Sequence, residues 1–463
     1  MSLNLLDILI VALYFAIILI IGIRFTRKDK NENKESYILA GRRVTLPFFV
    51  ASLVATWYGN IMGMGEFVYN NGIVAFFCFA FPYYIAAFLF AIFVAKRIRG
   101  SSAATIPEQI KITYGNKASA ISSAIILVIT IPAAYILILG KLIELFTGWS
   151  LAVSLTIGTL ISLIIIYHGG LKADIIANTA QFIFMYIGFG GLLFFCLTEL
   201  GSFEEMISKL PAAHLTATGT LSWQYVLAWY IIAFQTFIDP SFHQRCAAAK
   251  NPRTAKNGIL VSIIFWCIFD FLTFTTGLYS AAYLQLPSPL DAYPVLADAV
   301  MPNMWKGLFL VAIIATVMST LESYSFISAA TFGNDIFPLF FKRLSHMLGT
   351  KIGLIVTGVF GILLAIAIPS AIDLVYKTSS IAVPALIIPL TVSYSKRYYL
   401  DSKHSLLIMI LTILITLFWT LSNEYSEQFG LEFLYFTHNF EPMMPGIILS
   451  VFLGIIFVKK RSK

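Results

Sequence analysis

The sequence predicts an all-helical protein that crosses a lipid bilayer about thirteen times, and three observations carry that reading. Apolar stretches recur along the chain near 4–24, 45–67, 74–97, 119–144, 149–168, 174–197, 223–245, 257–283, 305–334, 352–369, 374–393, 404–421 and 444–459. A span needs about 20 mostly apolar residues to cross about 30 Å of hydrocarbon. The composition is 59% hydrophobic and only 12% charged, where a soluble domain carries about 25% charge. All but four of the 31 Lys and Arg residues fall in alternate loops, the exceptions being Lys141, Lys209, Lys306 and Lys377. That bias is the positive-inside pattern, so the basic loops are expected in the cytoplasm. An odd number of spans then puts the N-terminus outside and the C-terminus inside. Barrel strands would be about half as long, which excludes the other way of satisfying a backbone in lipid.

The first stretch is expected to remain as a membrane helix. Met1 to Asp7 carries no basic residue, and the basic cluster follows the apolar run instead of preceding it. The longest polar stretches, 25–44, 199–222 and 422–443, are too short for a catalytic domain. No Ser/His/Asp grouping, HExxH or phosphate-binding loop is legible, so enzyme chemistry and ATP-driven pumping are not expected. The net charge of +8 sits in short loops and gives no nucleic-acid-binding surface. Cys78, Cys196, Cys246 and Cys267 lie in or at the ends of spans and are assigned to packing.

Two spans look interrupted. The second carries Gly59, Gly63 and Gly65, each worth about 1 kcal/mol against an unbroken helix. The seventh carries Pro240, which removes a rung of the hydrogen-bond ladder. The two lie five spans apart, and paired breaks in matching halves point to an inverted-repeat transporter with its site at the breaks. The organisation that follows is an N-terminal helix and loop over 1–44, a first repeat over 45–198, and an outer loop over 199–222. A second repeat covers 223–393, and two further helices cover 394–463.

The ninth span holds the richest polar pattern. At about 100° per residue, Thr316, Ser319, Thr320 and Ser323 share one face. Ser319 and Thr320 lie roughly 21–23 Å from the outer end at a rise of 1.5 Å per residue, near the midplane. On the second span Ala55 to Tyr58 sit at similar depth. Hydroxyls opposite an unwound backbone suit a weakly held hard cation such as Na⁺; hydroxyls that simply join helices are the structural alternative.

Four stretches of the sequence resemble the sodium/solute symporter family, which includes proline, sugar, iodide and sialic-acid carriers. Ser36–Arg43 with Leu46–Pro47 and Ala51–Ala55 resembles the approach to its first core helix, and Gly169–Ala173 the turn before its fifth. Gln244–Arg245 with Ala247–Lys250 resembles the end of its sixth, and Met318–Ser323 with Asp335–Ile336 its eighth. The resemblance covers roughly 1–400. It implies the five-plus-five inverted repeat of the LeuT type, with an extra N-terminal helix and two extra C-terminal helices, and sodium-driven uptake. It also implies one sodium site, formed by the backbone carbonyls of Ala55, Tyr58 and Thr316 and the hydroxyls of Ser319 and Thr320. Where many members carry Thr–Asp, this chain has Ala177–Asn178, and in some relatives that aspartate contributes to a second sodium site. Glu322, one turn from Ser319, is the candidate for a displaced carboxylate, so Asn178, Glu322 and Ser323 form a candidate second cation or proton site. No glutamate lies in 80–90, which argues against a hexose.

Charges inside a span are costly and mark functional candidates. Asp239, beside Pro240, is the leading candidate for solute contact, with capping of the broken helix as its alternative. Trp57, Asn60, Met62, Phe234 and Gln235 flank the two breaks and complete the expected substrate pocket. Asp270 and Lys377 receive no role. The expected protein is a multi-pass carrier of the cytoplasmic membrane, importing a small polar organic solute with Na⁺ and touching lipid but no nucleic acid. A proton-coupled carrier and a transport-derived sensor without turnover remain as alternatives. The sequence leaves the oligomeric state open, a monomer being compatible with it.

Overall fold

A computed structural model describes residues 3–26, 34–340, 345–368, 371–426, 430 and 440–461. The helices related to the bilayer are, in chain order, α1 (Leu5–Thr26), α2 (Leu46–Trp57), α3 (Ile61–Asn71), α4 (Phe76–Gly100), α5 (Asn116–Thr130), α6 (Ala133–Thr147), α7 (Leu151–Tyr167) and α8 (Gly169–Glu199). They continue with α9 (Trp223–Ile232), α10 (Pro240–Ala248), α11 (Pro252–Tyr283), α12 (Trp305–Thr331), α13 (His346–Ala367), α14 (Ala371–Ser393), α15 (Ser402–Tyr425) and α16 (Met443–Phe457). The side chains of His168 and Lys377 and most of the 422–443 loop lie outside the described residues.

Each predicted apolar stretch carries helix, but the count of thirteen spans is not reached on length and hydropathy. Among the described residues eight helices are long and apolar enough to cross a membrane, or nine if the bent pair α2 and α3 is one span. Three further apolar helices, including α7 and α16, are shorter. The second and seventh stretches are interrupted, the fifth and thirteenth carry helices of only 10–17 residues, and the fourth, though bent, still passes as one span over Asn116–Thr147. The second stretch bends by 59° between Trp57 and Ile61. The seventh falls into α9, a tight turn over Ala233–Phe237, and α10. The fourth, expected to be continuous, parts into α5 and α6 at Ile131–Pro132, because the ring of a proline disfavours helical backbone in the residue before it.

The bundle is organised around α12. Nine-tenths of its apolar window is buried (94%), as expected of a helix with no wholly polar face. It packs most extensively on the α7–α8 stretch, while α1 leans on both and α2 is inserted beside them. The approach of α8 to α12 depends on small residues: a Cβ on Gly188 would stand 2.2 Å from that of Ala312. At the start of α12 the buried Asp7 of α1 accepts from the backbone N–H groups of Met304 (2.9 Å) and Gly307 (2.8 Å). A carboxylate there satisfies donors that the first turn leaves free and matches the positive end of the helix dipole.

At the opposite face the basic loops meet. Arg42 donates to the carbonyls of Ser101 and Ser102, each at 2.9 Å, and Arg99 donates to Ala249 and Lys250. Val44 and Ala249 form a parallel bridge. The short strand Lys459–Lys460, after α16, pairs antiparallel with Tyr398–Tyr399.

Candidate functional site

The bend in the second stretch creates the first part of the site. An α-helix leaves its last carbonyls without intrahelical donors, so the end of α2 frees the backbone oxygens from Ala55 to Tyr58. Tyr58 caps α2 with non-helical backbone, and Asn60 begins α3. Two freed carbonyls are met from α12. The Ser319 hydroxyl lies 2.7 Å from the Ala55 carbonyl and 2.8 Å from that of Thr316. The Thr320 hydroxyl donates to the Thr56 carbonyl at 2.9 Å. The contact is this close because residue 59 is glycine. A Cβ there would come within 2.6 Å of both Thr320 Cβ and a ring carbon of Tyr135.

Of the residues expected to hold sodium, Ala55, Thr316, Ser319 and Thr320 therefore converge, all buried. Tyr58 stands at the break, and its side chain turns away to α11. There its hydroxyl donates to Asp270 at 2.8 Å, and Tyr84 donates to the other oxygen of the same carboxylate. The converging oxygens are neutral and sit at the C-terminal, negative end of a helix dipole. Such oxygens replace the hydration shell of a monovalent cation without taking on a proton.

The second part lies one turn further along α12. Ser323 donates to Asp174 at 2.8 Å and accepts from Arg245 Nη2 at 2.8 Å. The same Nη2 lies 2.7 Å from the Thr56 hydroxyl and 3.4 Å from Asp174, while Nε donates to Ser52 at 2.9 Å. Arg245 and Asp174 are completely buried. Asn178 joins them, its amide donating to Ser323 at 3.0 Å and to Ser52 and Thr56 at 3.4 Å. Glu322, expected with Asn178 and Ser323, faces elsewhere: its carboxylate accepts from Gln181 at 3.4 Å, and Gln181 also reaches Tyr14 of α1. The carboxylate beside Asn178 is Asp174, which the sequence reading did not select. The available signal was three polar pairs at i, i+4, Ser52 with Thr56, Asp174 with Asn178, and Ser319 with Ser323, each occupying one face of an otherwise apolar helix.

The third part is the break before α10. Asp239 is its N-cap: one carboxylate oxygen accepts from the N–H groups of Ser241 (2.7 Å) and Phe242 (3.3 Å). The other accepts from Tyr324 of α12 at 2.8 Å. The half-buried Trp57 ring lies 5.2 Å from Tyr83, 5.6 Å from Phe242 and 5.4 Å from Trp266. Among the buried polar groups near the break, Trp266 Nε1 and Thr236 Oγ1 have no protein partner. The structure does not gather the other expected pocket residues as tightly. Met62 is buried, the Asn60 amide lies against Gly63, and Gln235 sits in the tight turn before the break. Phe234 is exposed, its ring 5.8 Å from that of Phe237 and tilted by 36° to it.

This architecture has known counterparts. The fold matches a solved Na⁺-coupled sialic acid symporter over 100% of both chains, with a TM-score of 0.79 and 17% identity. In sequence the chain is 22% identical over 395 residues to the high-affinity choline transporter 1 of Drosophila melanogaster, covering 79% of this chain and 63% of that protein. It is 26% identical over 403 residues to the human sodium/myo-inositol cotransporter, covering 73% of this chain and 55% of that one. The chain thus spans roughly three-fifths of the length of the curated relatives it matches. The family model described as the sodium:solute symporter family matches residues 37–398, and the chain belongs to that family.

Proposed function

We propose that this protein is a secondary symporter that carries a small polar organic solute across the cytoplasmic membrane with Na⁺. The observation that supports this most is the meeting of the carbonyls freed at the end of α2 with the Ser319 and Thr320 hydroxyls of α12. The proposed sodium ligands are the carbonyls of Ala55, Tyr58 and Thr316 with the hydroxyls of Ser319 and Thr320. The ion would bridge α2 and α12, so its binding favours whichever arrangement of the two helices closes the site. Solute bound beside the α2–α3 break favours the same arrangement, and the coupling is reciprocal: each ligand tightens the other by the same factor. A membrane potential of 100 mV supplies about 2.3 kcal/mol per charge carried.

For the solute, Trp57, Tyr83 and Trp266 supply an aromatic wall, and the unpartnered Trp266 N–H and Thr236 hydroxyl offer hydrogen bonds. Buried polar groups left without partners need an explanation, and a solute with acceptor and donor groups is one. Asn60, Met62, Phe234, Gln235 and Asp239 flank this region. The clustering of basic loops on one face supports the N-terminus outside and the C-terminus inside.

Replacing Ser319→Ala together with Thr320→Ala is expected to raise the Na⁺ concentration for half-maximal thermal stabilisation at least about tenfold, which is 1.4 kcal/mol. Unchanged Na⁺ dependence in the folded double variant rejects the site.

A further inference from the structure

The cluster around Ser323 has the composition of a cation site and already holds a cation. Three hydroxyls (Ser52, Thr56, Ser323), one carboxylate (Asp174) and one amide (Asn178) face a common point. All five are buried. Arg245 extends its guanidinium from α10 into that point. Its Nη2 alone has three oxygens around it, at 2.7 Å, 2.8 Å and 3.4 Å. Arginine stays protonated in proteins, so this positive charge is permanent.

We infer that Arg245 is a tethered cation occupying the second cation locus of the bundle, so that the protein binds a single Na⁺ per chain. The inference rests on the sodium-coupled reading above and adds its stoichiometry. Three features support it. First, the pair in contact is balanced: Asp174 is the carboxylate in contact with Ser323, and the Arg245 guanidinium neutralises it. A mobile cation entering there would have to displace a side chain that is itself fully buried and anchored at Ser52 by Nε. Second, residue 178 is an amide, which brings no charge to the locus: its NH2 group lies 3.0 Å from the Ser323 hydroxyl and 3.4 Å from those of Ser52 and Thr56. Third, Thr56 belongs to both loci. Its carbonyl accepts from Thr320 and its hydroxyl from Arg245, so the free-ion locus and the tethered charge are one turn apart. A second mobile cation beside a fixed guanidinium at that spacing meets direct repulsion.

Arg245 is thus a positioning residue for ion coupling rather than a ligand of the transported ion. Its charge does locally what a second ion would do, joining α10 to α2, α8 and α12, but it is not carried across the membrane.

The test is equilibrium binding of radiolabelled Na⁺ to the purified full-length protein, which needs no knowledge of the solute. Wild type is expected to bind one Na⁺ per chain with a Hill coefficient of about 1. Arg245→Gln removes the tethered charge, leaves Asp174 unpaired, and is expected to bind a second Na⁺ with a sigmoidal isotherm. Adding Asp174→Asn to that variant is expected to return it to one ion, and Arg245→Lys, which keeps a tethered charge, to remain at one. A merely structural arginine would alter thermal stability in these variants without changing the number of ions bound. Two Na⁺ per wild-type chain, or one in the folded Arg245→Gln protein, overturns the inference. Should Arg245→Gln not fold, the wild-type stoichiometry still decides. Absence of saturable Na⁺ binding in wild type rejects the sodium-coupled reading itself, which is a different outcome from binding two.

Discussion

At Ser319 and Thr320, α12 offers uncharged oxygens to the freed carbonyls of α2; one turn later, at Ser323, it meets an ion pair supplied entirely by the chain. Both loci are buried and both are rich in hydroxyls. They differ in where charge resides. The first has none of its own, so a cation can arrive and leave without stranding a bare carboxylate in the membrane. The second contains Asp174, and burying an uncompensated carboxylate is far more costly than burying a hydroxyl. A permanent partner solves that problem at the expense of exchange. A reversible site in a low-dielectric interior is therefore better built from carbonyls and hydroxyls than from formal charge.

The largest expected effect lies in the charged locus. Asp174→Asn strands the Arg245 guanidinium in the interior, and breaking a buried pair by removing one partner destabilises by about 3–5 kcal/mol. A strongly lowered melting temperature is expected, read by thermal unfolding in detergent. Wild-type stability would mean that water reaches Arg245 and that the two loci do not differ as described.

Gly59→Ala addresses the neutral locus through its backbone. The added methyl would overlap Thr320 and Tyr135, and overpacking of this kind costs about 1–3 kcal/mol. Because the clash separates α2 from α12 where the carbonyls meet the hydroxyls, weaker Na⁺-induced stabilisation is expected along with lower stability. Retention of full Na⁺ affinity would place the ion elsewhere.

A pair of single substitutions sharpens the comparison. Ser323→Ala removes a hydroxyl that both donates to Asp174 and accepts from Arg245, a loss of about 1.5–3 kcal/mol for hydrogen bonds to charged groups. Its signature is lower stability at nearly unchanged Na⁺ affinity. Ser319→Ala should show the reverse, a weakened response to Na⁺ with a smaller stability change. Identical behaviour of the two variants would erase the distinction between the loci.

The smallest effect is expected at Asp239. Its oxygens are taken up by Ser241, Phe242 and Tyr324, and asparagine caps helices about as well as aspartate. Asp239→Asn is expected to keep solute-induced stabilisation within about threefold, a change below 1 kcal/mol. Abolition of that response would show that the carboxylate itself meets the solute.

Some of this was legible without a structure. The class of the protein follows from runs of apolar residues and the bias of Lys and Arg, because the bilayer imposes length and backbone satisfaction on each segment independently. The breaks near Gly59 and Pro240 were readable for the same reason, being local properties of the chain. So was the polar face of α12, since helical periodicity alone aligns Thr316, Ser319, Thr320 and Ser323. The split of α5 from α6 at Pro132 went unread because its apolar flanks masked it in a hydropathy reading.

Which charges face one another was a different matter. Asp174 and Glu322 are both carboxylates in apolar helices, and nothing local says that Asp174 meets Arg245, 71 positions away, while Glu322 turns to Gln181 and Tyr14. Asp239 looked like a solute contact from sequence because a charge beside a broken helix is expensive; the structure supplies the backbone donors and the Tyr324 hydroxyl that receive it. The sequence by itself determined a membrane-spanning helical chain, its two interruptions and the hydroxyl face of α12, since each depends on residues within one segment. Only the tertiary structure decided which carboxylate was neutralised and by what, because electrostatic pairing depends on distances between helices that segment-by-segment patterning does not encode.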